Sequence, residues 1–462
     1  MAKTIIKNID WVITVDEGRR VISDGAIAFT DSGLTFVGKT SDLGSEDGAE
    51  IVDGRGLLAV PGLIDTSVAV AQQLGRGLGD LCDLPKYRLE RVFGYEAALT
   101  SDDARWAARH CILEMIRAGT TTFVDTGSRF PAEIAEVSKE MGVRGVVGRA
   151  CQDIFETAMG ECPSDLARET VGEVIARAEK WIKAARIAGG LITPCIAIPW
   201  LAGCSQDLGA ALADLAKREG VIIVVSAAAS RDEAVMSRMS YGQTEVERVA
   251  QMDLLGKGTI VSHAGWTGPS DLPLLQRSRA TVACCPSMSH RLGTGALEYG
   301  RYPELLAFGA NVTLGSGSAM ASNFVDVARQ LYLFSGGNKT FRLDATATRP
   351  EAAVEMATVR AAEALGRPDL GSLEAGKKAD ITLFRCTTAD WVPLIHPIQN
   401  LAFSSRGGAD TVIVDGRILL KHGKLASCDE TEILAQSQTR AEALAERSNL
   451  ARFAQPSWTV VA

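Results

Sequence analysis

Eight short apolar runs recur along the middle of the chain, and segments of helical periodicity lie between them. The runs are LLAVPGLIDT (57–66), GTTTFVDTG (119–127), VRGVVGRA (143–150), ITPCIAIPW (192–200), GVIIVVSAA (220–228), GTIVSHAG (258–265), RATVACCPS (279–287) and ANVTLGSGS (310–318). Runs apolar on both faces belong to parallel strands covered on two sides. Intervening segments such as DDARWAARHCILEMIRAG (102–119) and DLGAALADLAKREG (207–220) carry the apolar stripe of a helix packed on a sheet. Several end at glycine (Gly119, Gly142, Gly220, Gly309), the residue that terminates a helix in the left-handed conformation. Eight such repeats predict a (β/α)8 TIM barrel.

The two ends read differently. TIIKNIDWVITV (4–15), GAIAFT (25–30) and LTFVG (34–38) are short strands separated by turn residues, and ADITLFR (379–385) and DTVIVDGRILLKHGKL (410–425) repeat that style. They predict one small composite β-sandwich domain built from both termini, residues 1–58 and 368–428, beside a barrel over 59–367. The stretch 429–462 holds an amphipathic helix expected to pack on the body. The N-terminus reads as a strand, not a signal peptide.

Length fits this division, since 462 residues exceed one small core. A net charge of −8, with no dense Lys/Arg cluster, argues against nucleic-acid and anionic-membrane partners. No apolar stretch reaches the roughly 20 residues of a spanning helix. The ten cysteines are scattered without CxxC pairs, which points to reduced thiols and a cytoplasmic protein. Cys284 and Cys285 read as two buried small residues. GLGD, GSGS and GTG do not form the GxGxxG that a dinucleotide site needs.

Six ordered stretches carry a resemblance over nearly the whole chain: PGLIDT (61–66), RGLGD (76–80), CILEMIRAGTTTFVDTG (111–127), PELLAFGANVTLGSGS (303–318), GSLEAGKKADITLF (371–384) and VIVDGRILLKHGKL (412–425). The chain resembles the amidohydrolase superfamily, in its branch of chlorohydrolases, triazine hydrolases and deaminases. The resemblance implies a barrel with a composite β-sandwich, commonly a homodimer, and a divalent metal that acidifies bound water. Carried over one by one, the family's ligands fall on other residues. The His-x-His after strand one falls on Ser67 and Ala69. The strand-five His-x-x-Glu falls on Ser226 and Ala229. The strand-eight Asp falls on Gly317, or on Ser316 if the register slips by one. The strand-six histidine remains, as His263. One imidazole does not make a zinc site, so no metal and no other cofactor is expected. A site relocated to Cys151, Cys285 and His263 has no support from spacing.

In a barrel of this kind chemistry sits at the C-terminal ends of the strands. His263 is therefore the candidate catalytic residue, a proton carrier or hydrogen-bond anchor; the plain alternative is a core histidine satisfied by a backbone carbonyl. Ser67 and Ser226 face the same centre. A Ser226–His263 couple resembles a nucleophile and base, but it has no acidic third member and no GxSxG elbow. Ser287 and His290 in the loop after strand seven, and Ser316, are candidate substrate contacts. So are Gln73 after strand one and Gln152 after strand three. Trp200 ends strand four and suits a flat heterocycle as an aromatic wall. Each has a bland counterpart as a packing or loop residue. Asp65, Asp125 and Glu114 read as structural.

Two functions stand open. One is an enzyme of amidohydrolase type that acts without the family metal on a small, cyclic, nitrogen-containing molecule by hydrolysis, deamination-like chemistry, isomerisation or elimination. The other is a non-catalytic small-molecule binder or assembly member.

Overall fold

The computed structural model describes residues 3–426, 428–454 and 458. Eight parallel strands form the barrel: Leu63–Val68, Thr120–Asp125, Arg144–Ala150, Ile192–Ile198, Ile222–Ala227, Thr259–His263, Thr281–Cys284 and Asn311–Leu314. They follow chain order, each hydrogen-bonded to the next, with helices in the crossovers. The eighth strand meets the first through a parallel bridge between Val68 and Gly317. Gly317 N–H donates to the Ser67 carbonyl at 2.9 Å, and Ala69 N–H donates to the Gly317 carbonyl at 2.7 Å. Gly315 permits this close approach, because a Cβ there would lie 2.6 Å from that of Ser67.

The apolar run 57–66 is two strands. Leu57–Pro61 pairs with Ile381–Arg385 and with Trp11 and Val12, in a nine-stranded sheet drawn from both ends of the chain. Leu63–Val68 then opens the barrel, and Gly62 between them has Thr121 against the space a Cβ would fill. Alternation alone does not reveal this change of sheet, because both strands are fully buried. The buried Arg144 joins the two layers, with its guanidinium on Asp380 at 2.9 Å and Asp415 at 2.8 Å.

Helix Ser101–Ala118 starts in a capping box, with Thr100 and Asp103 exchanging side-chain and backbone bonds, and stops at Gly119 with φ +88°. Against it lies the amphipathic helix Glu430–Arg447, through Arg440–Asp102 at 2.6 Å and Arg447–Asp103 at 2.5 Å. Among the described residues no helix is long and apolar enough to cross a membrane.

Candidate active site

Between the first barrel strand and helix Ser101–Ala118 the chain runs for more than thirty residues, well beyond the usual crossover loop. This segment folds over the barrel mouth. It contains a turn widened to π geometry, Tyr87–Val92, a form frequent at functional sites. From this turn Arg88 reaches inward. Its Nε donates to Glu233 Oε1 at 2.8 Å, Nη1 to the Pro199 carbonyl at 3.1 Å, and Nη2 to Ser226 Oγ at 3.0 Å. The guanidinium thus ties the lid segment to the ends of strands four and five. Glu233 sits in the first turn of helix Arg231–Tyr241, where its other oxygen accepts the Ala229 N–H at 3.0 Å. Glu245 beside it accepts the Ala228 N–H, and burial together with the charge of Glu233 pushes its carboxyl well up.

Arg88 forms part of the wall of a chamber of about 60 Å³ at the C-terminal mouth. On the barrel side the wall is Ser67, Ser226, His263 and Gly317; on the lid side it includes Gln72 and Glu96. Trp200, 2% exposed, packs obliquely on Phe93 with ring centroids 5.6 Å apart. Its indole Nε1 is buried without a hydrogen-bond partner among the described residues. Ser67 Oγ donates to Ser262 Oγ at 3.0 Å.

His263 closes the sixth strand with φ +76°, a left-handed conformation that costs a non-glycine residue about 1–3 kcal/mol. Its carbonyl accepts the Tyr302 hydroxyl at 2.6 Å. Burial, with the Arg88 charge nearby, lowers the imidazole to about 3. It is therefore neutral across the ordinary pH range and a poor match to the titrating proton carrier the sequence suggests. Glu96 is better matched. Burial raises its carboxyl to about 7, opposed by the Gln72 amide, which donates to it at 3.4 Å.

Of the residues the sequence singles out, Ser67, Trp200, Ser226 and His263 meet in this chamber. The others are engaged elsewhere. Gln73 turns its amide to Glu114 at 2.8 Å, where Arg76 also binds, and Gln72 takes the inward place. Gln152 donates to the Ile154 carbonyl at 2.9 Å and lines a smaller neighbouring cavity that shares Glu96 and Pro199. Ser287, after the seventh strand, bonds to Ser322 beyond the eighth strand and to Gln330 on helix Val327–Arg342, each at 2.9 Å. His290 is exposed and lies beside Phe341. Ser316 donates to Asp65, which burial lifts to about 7 and which also accepts the Ser67 and Ser316 N–H groups. Arg88, Glu233 and Glu96 have no counterpart in the sequence reading. The signal for Arg88 and Glu96 is the length of the lid segment and its charges set among aromatics, LPKYRLERVFGYE (84–96); Glu233, on helix Arg231–Tyr241, has no such signal.

A divalent metal does not fit the residues present. Two hydroxyls are poor ligands for it and a single imidazole does not complete a site, and a guanidinium bonded to one of those hydroxyls repels a cation. Among the described residues no group of three or more His, Cys, Asp or Glu side chains is arranged to hold a metal ion, the trio Cys151, Cys285 and His263 included. Burial raises the Cys151 and Cys285 thiols to about 12, so neither offers a ready thiolate.

Fold and site together define a barrel protein with a lidded small-molecule chamber at the ends of its strands, the place where TIM-barrel enzymes carry their chemistry. The chain belongs to the amidohydrolase family, whose model matches residues 58–419. Among curated relatives it is 30% identical over 443 residues to a 5-methylthioadenosine/S-adenosylhomocysteine deaminase of Moorella thermoacetica, covering 95% of this chain and 99% of the relative. A 5'-deoxyadenosine deaminase of Methanopyrus kandleri is 28% identical, over 92% of this chain and 96% of that one. Among solved structures, a zinc-bound adenosine deaminase from Xanthomonas campestris superposes with a TM-score of 0.87 at 22% identity, over 96% of this chain and 99% of that one. A triazine hydrolase from Arthrobacter aurescens gives 0.88, also at 22%, over 96% and 100%. These two structural likenesses speak to the fold.

Proposed function

We propose that this chain is a hydrolase of deaminase type acting on a small, nitrogen-containing molecule, and that it does so without the divalent metal of its relatives. The deaminase and hydrolase names among its relatives support the reaction class. One observation carries the metal-free part: the Arg88 guanidinium bonds to Ser226, at the position matched to a family metal ligand, in the chamber that also holds His263. In this reading the ligand lies against Trp200 and Phe93, with His263 as a neutral hydrogen-bonding partner. Water attacks the ligand's electrophilic carbon and passes its proton to the Glu96 carboxylate. Arg88 and the serine hydroxyls steady the atom that takes up the displaced electron pair, the ring nitrogen of an amino-heterocycle or the carbonyl oxygen of an amide. Glu96 then returns the proton to the departing nitrogen, a shuttle that suits a group titrating near 7.

The chamber size favours a second reading. About 60 Å³ has room for a few water-sized groups, so a non-catalytic binder of a very small ligand also fits. A cytoplasmic homodimer completes the proposal; the ten unpaired thiols support a reducing compartment.

The test is a panel of heterocyclic amines, amides and lactams assayed after chelator treatment. Turnover is expected to persist with well under one equivalent of bound metal, and Glu96→Gln is expected to lower kcat about 100-fold or more. A full equivalent of zinc whose removal abolishes turnover would overturn the metal-free reading. Turnover indifferent to Glu96→Gln would overturn the proton route.

A further inference from the structure

The lid is gripped from outside as well as from within. Tyr87, Arg88, Val92, Phe93 and Glu96 line the chamber, so a shift of this segment alters the site directly. Arg91 lies on the same π turn as Arg88, and its guanidinium sits over the Phe453 ring, 3.0 Å from the centroid. Phe453 belongs to the short turn Ala451–Phe453 that follows helix Glu430–Arg447, and Arg452 also stacks on its ring, at 4.6 Å. Arg91 is 5% exposed, and its Nε is buried without a hydrogen-bond partner among the described residues. Its ion pair is with the neighbouring Glu90, at 3.3 Å. A desolvated guanidinium short of acceptors gains most from an aromatic face. A second hold lies at the end of the lid. Arg447 Nε donates to the Ala98 carbonyl at 3.0 Å and its Nη2 to Asp103 at 2.5 Å, across the joint between lid helix Phe93–Ala98 and helix Ser101–Ala118.

We infer that Phe453 is a positioning residue of the site: its ring clasps Arg91 and so holds the lid turn where it carries Arg88 into the chamber. This rests on the reading of the chamber as the active site and adds how that site is kept in order. A π turn of six residues is too short to hold itself in water, so tertiary contacts set its position. Inside, those contacts are the three bonds of Arg88 to two strand ends and a helix. Outside, the contact is the Phe453 ring on Arg91. Side chains three apart on a helical turn are fixed relative to one another, so anchoring Arg91 restricts Arg88. Phe453 is half-buried, and one ring face opposes three hydrogen bonds, so the outer clasp is the hold that yields first when the lid moves. Glu96 rides on the same segment and depends on the same anchor.

The experiment is hydrogen-exchange mass spectrometry on the full chain without ligand, followed by kinetics. In Phe453→Ala the amides of residues 84–98 are expected to exchange about tenfold faster or more, while those of strand Ile222–Ala227 keep their protection. Phe453→Leu keeps bulk without an aromatic face and is expected to behave like Phe453→Ala; Phe453→Tyr is expected to behave like the wild type. Where Phe453→Ala does not fold, Phe453→Leu decides. With a substrate from the panel, Phe453→Ala is expected to lower kcat about fivefold or more with KM little changed. It should also move the kcat inflection below about 7 as water reaches Glu96, and Phe453→Tyr should restore both. Unchanged exchange over 84–98 in Phe453→Ala, or Phe453→Leu as well protected as the wild type, overturns the clasp. Faster exchange with kcat and its pH profile untouched overturns the positioning role. Turnover with unaltered exchange removes this inference and leaves the proposed function standing; faster exchange with no turnover across the panel does the reverse.

Discussion

Replacing Arg88 by Met removes the cation and leaves the Glu233 carboxylate, 2% exposed, without its partner. At 2.8 Å and an effective dielectric of about 20, the lost Coulomb attraction is about 6 kcal/mol. Desolvation already offsets part of that in the native pair, and breaking a buried pair from one side costs about 3–5 kcal/mol. Arg88→Met is therefore expected to lose about 3–5 kcal/mol at pH 8. The double variant Arg88→Met/Glu233→Gln removes both charges and should recover at least half of the loss. The assay is urea unfolding of the wild type, both single variants and the double variant, at pH 8. A single-variant loss under about 1 kcal/mol at pH 8, or a double variant no more stable than Arg88→Met, would refute the account of a desolvated pair.

Other measurements probe neighbouring groups. The kcat profile should show an inflection near pH 7 that disappears in Glu96→Gln, since burial sets that carboxyl to about 7; an inflection that survives the substitution assigns it to another group. His263, held at about 3 when folded, is neutral in the native state while its unfolded counterpart protonates near 6.5. It therefore lowers stability as pH falls from 6.5 toward 3, by on the order of 1 kcal/mol per unit, so His263→Asn should flatten the acid limb of the stability curve. Maleimide labelling followed by mass spectrometry should mark the half-buried Cys82 and Cys428 first and leave Cys151 and Cys285 intact until the protein unfolds, because those two thiols are buried and raised to about 12.

The barrel was legible in the chain because burial on both faces of a parallel strand leaves an uninterrupted apolar signature, and eight such runs allow few other arrangements. Position in that pattern also placed Ser67, Ser226, Trp200 and His263 at the mouth, since each falls at or just beyond the end of a run. Side-chain direction was not legible. Gln72 and Gln73 are adjacent and alike in the sequence, yet a short 3-10 turn over Val70–Gly75 aims one at the chamber and the other at Glu114. Ser287 and Ser316 stand at strand ends as the pattern requires, but nearby polar groups claim their hydroxyls.

Sequence alone thus determined the eight-strand frame, which follows from local pattern, and set Ser67, Ser226 and His263 in the ring of its strand ends. Tertiary structure decided what stands in that ring. Arg88 comes from a lid segment some 140 residues before Glu233 and Ser226, and only the folded barrel brings the three together. The protonation of His263 and Glu96 was decided there too, because a pKa answers to the burial and charges around a group, and neither exists until the chain has packed.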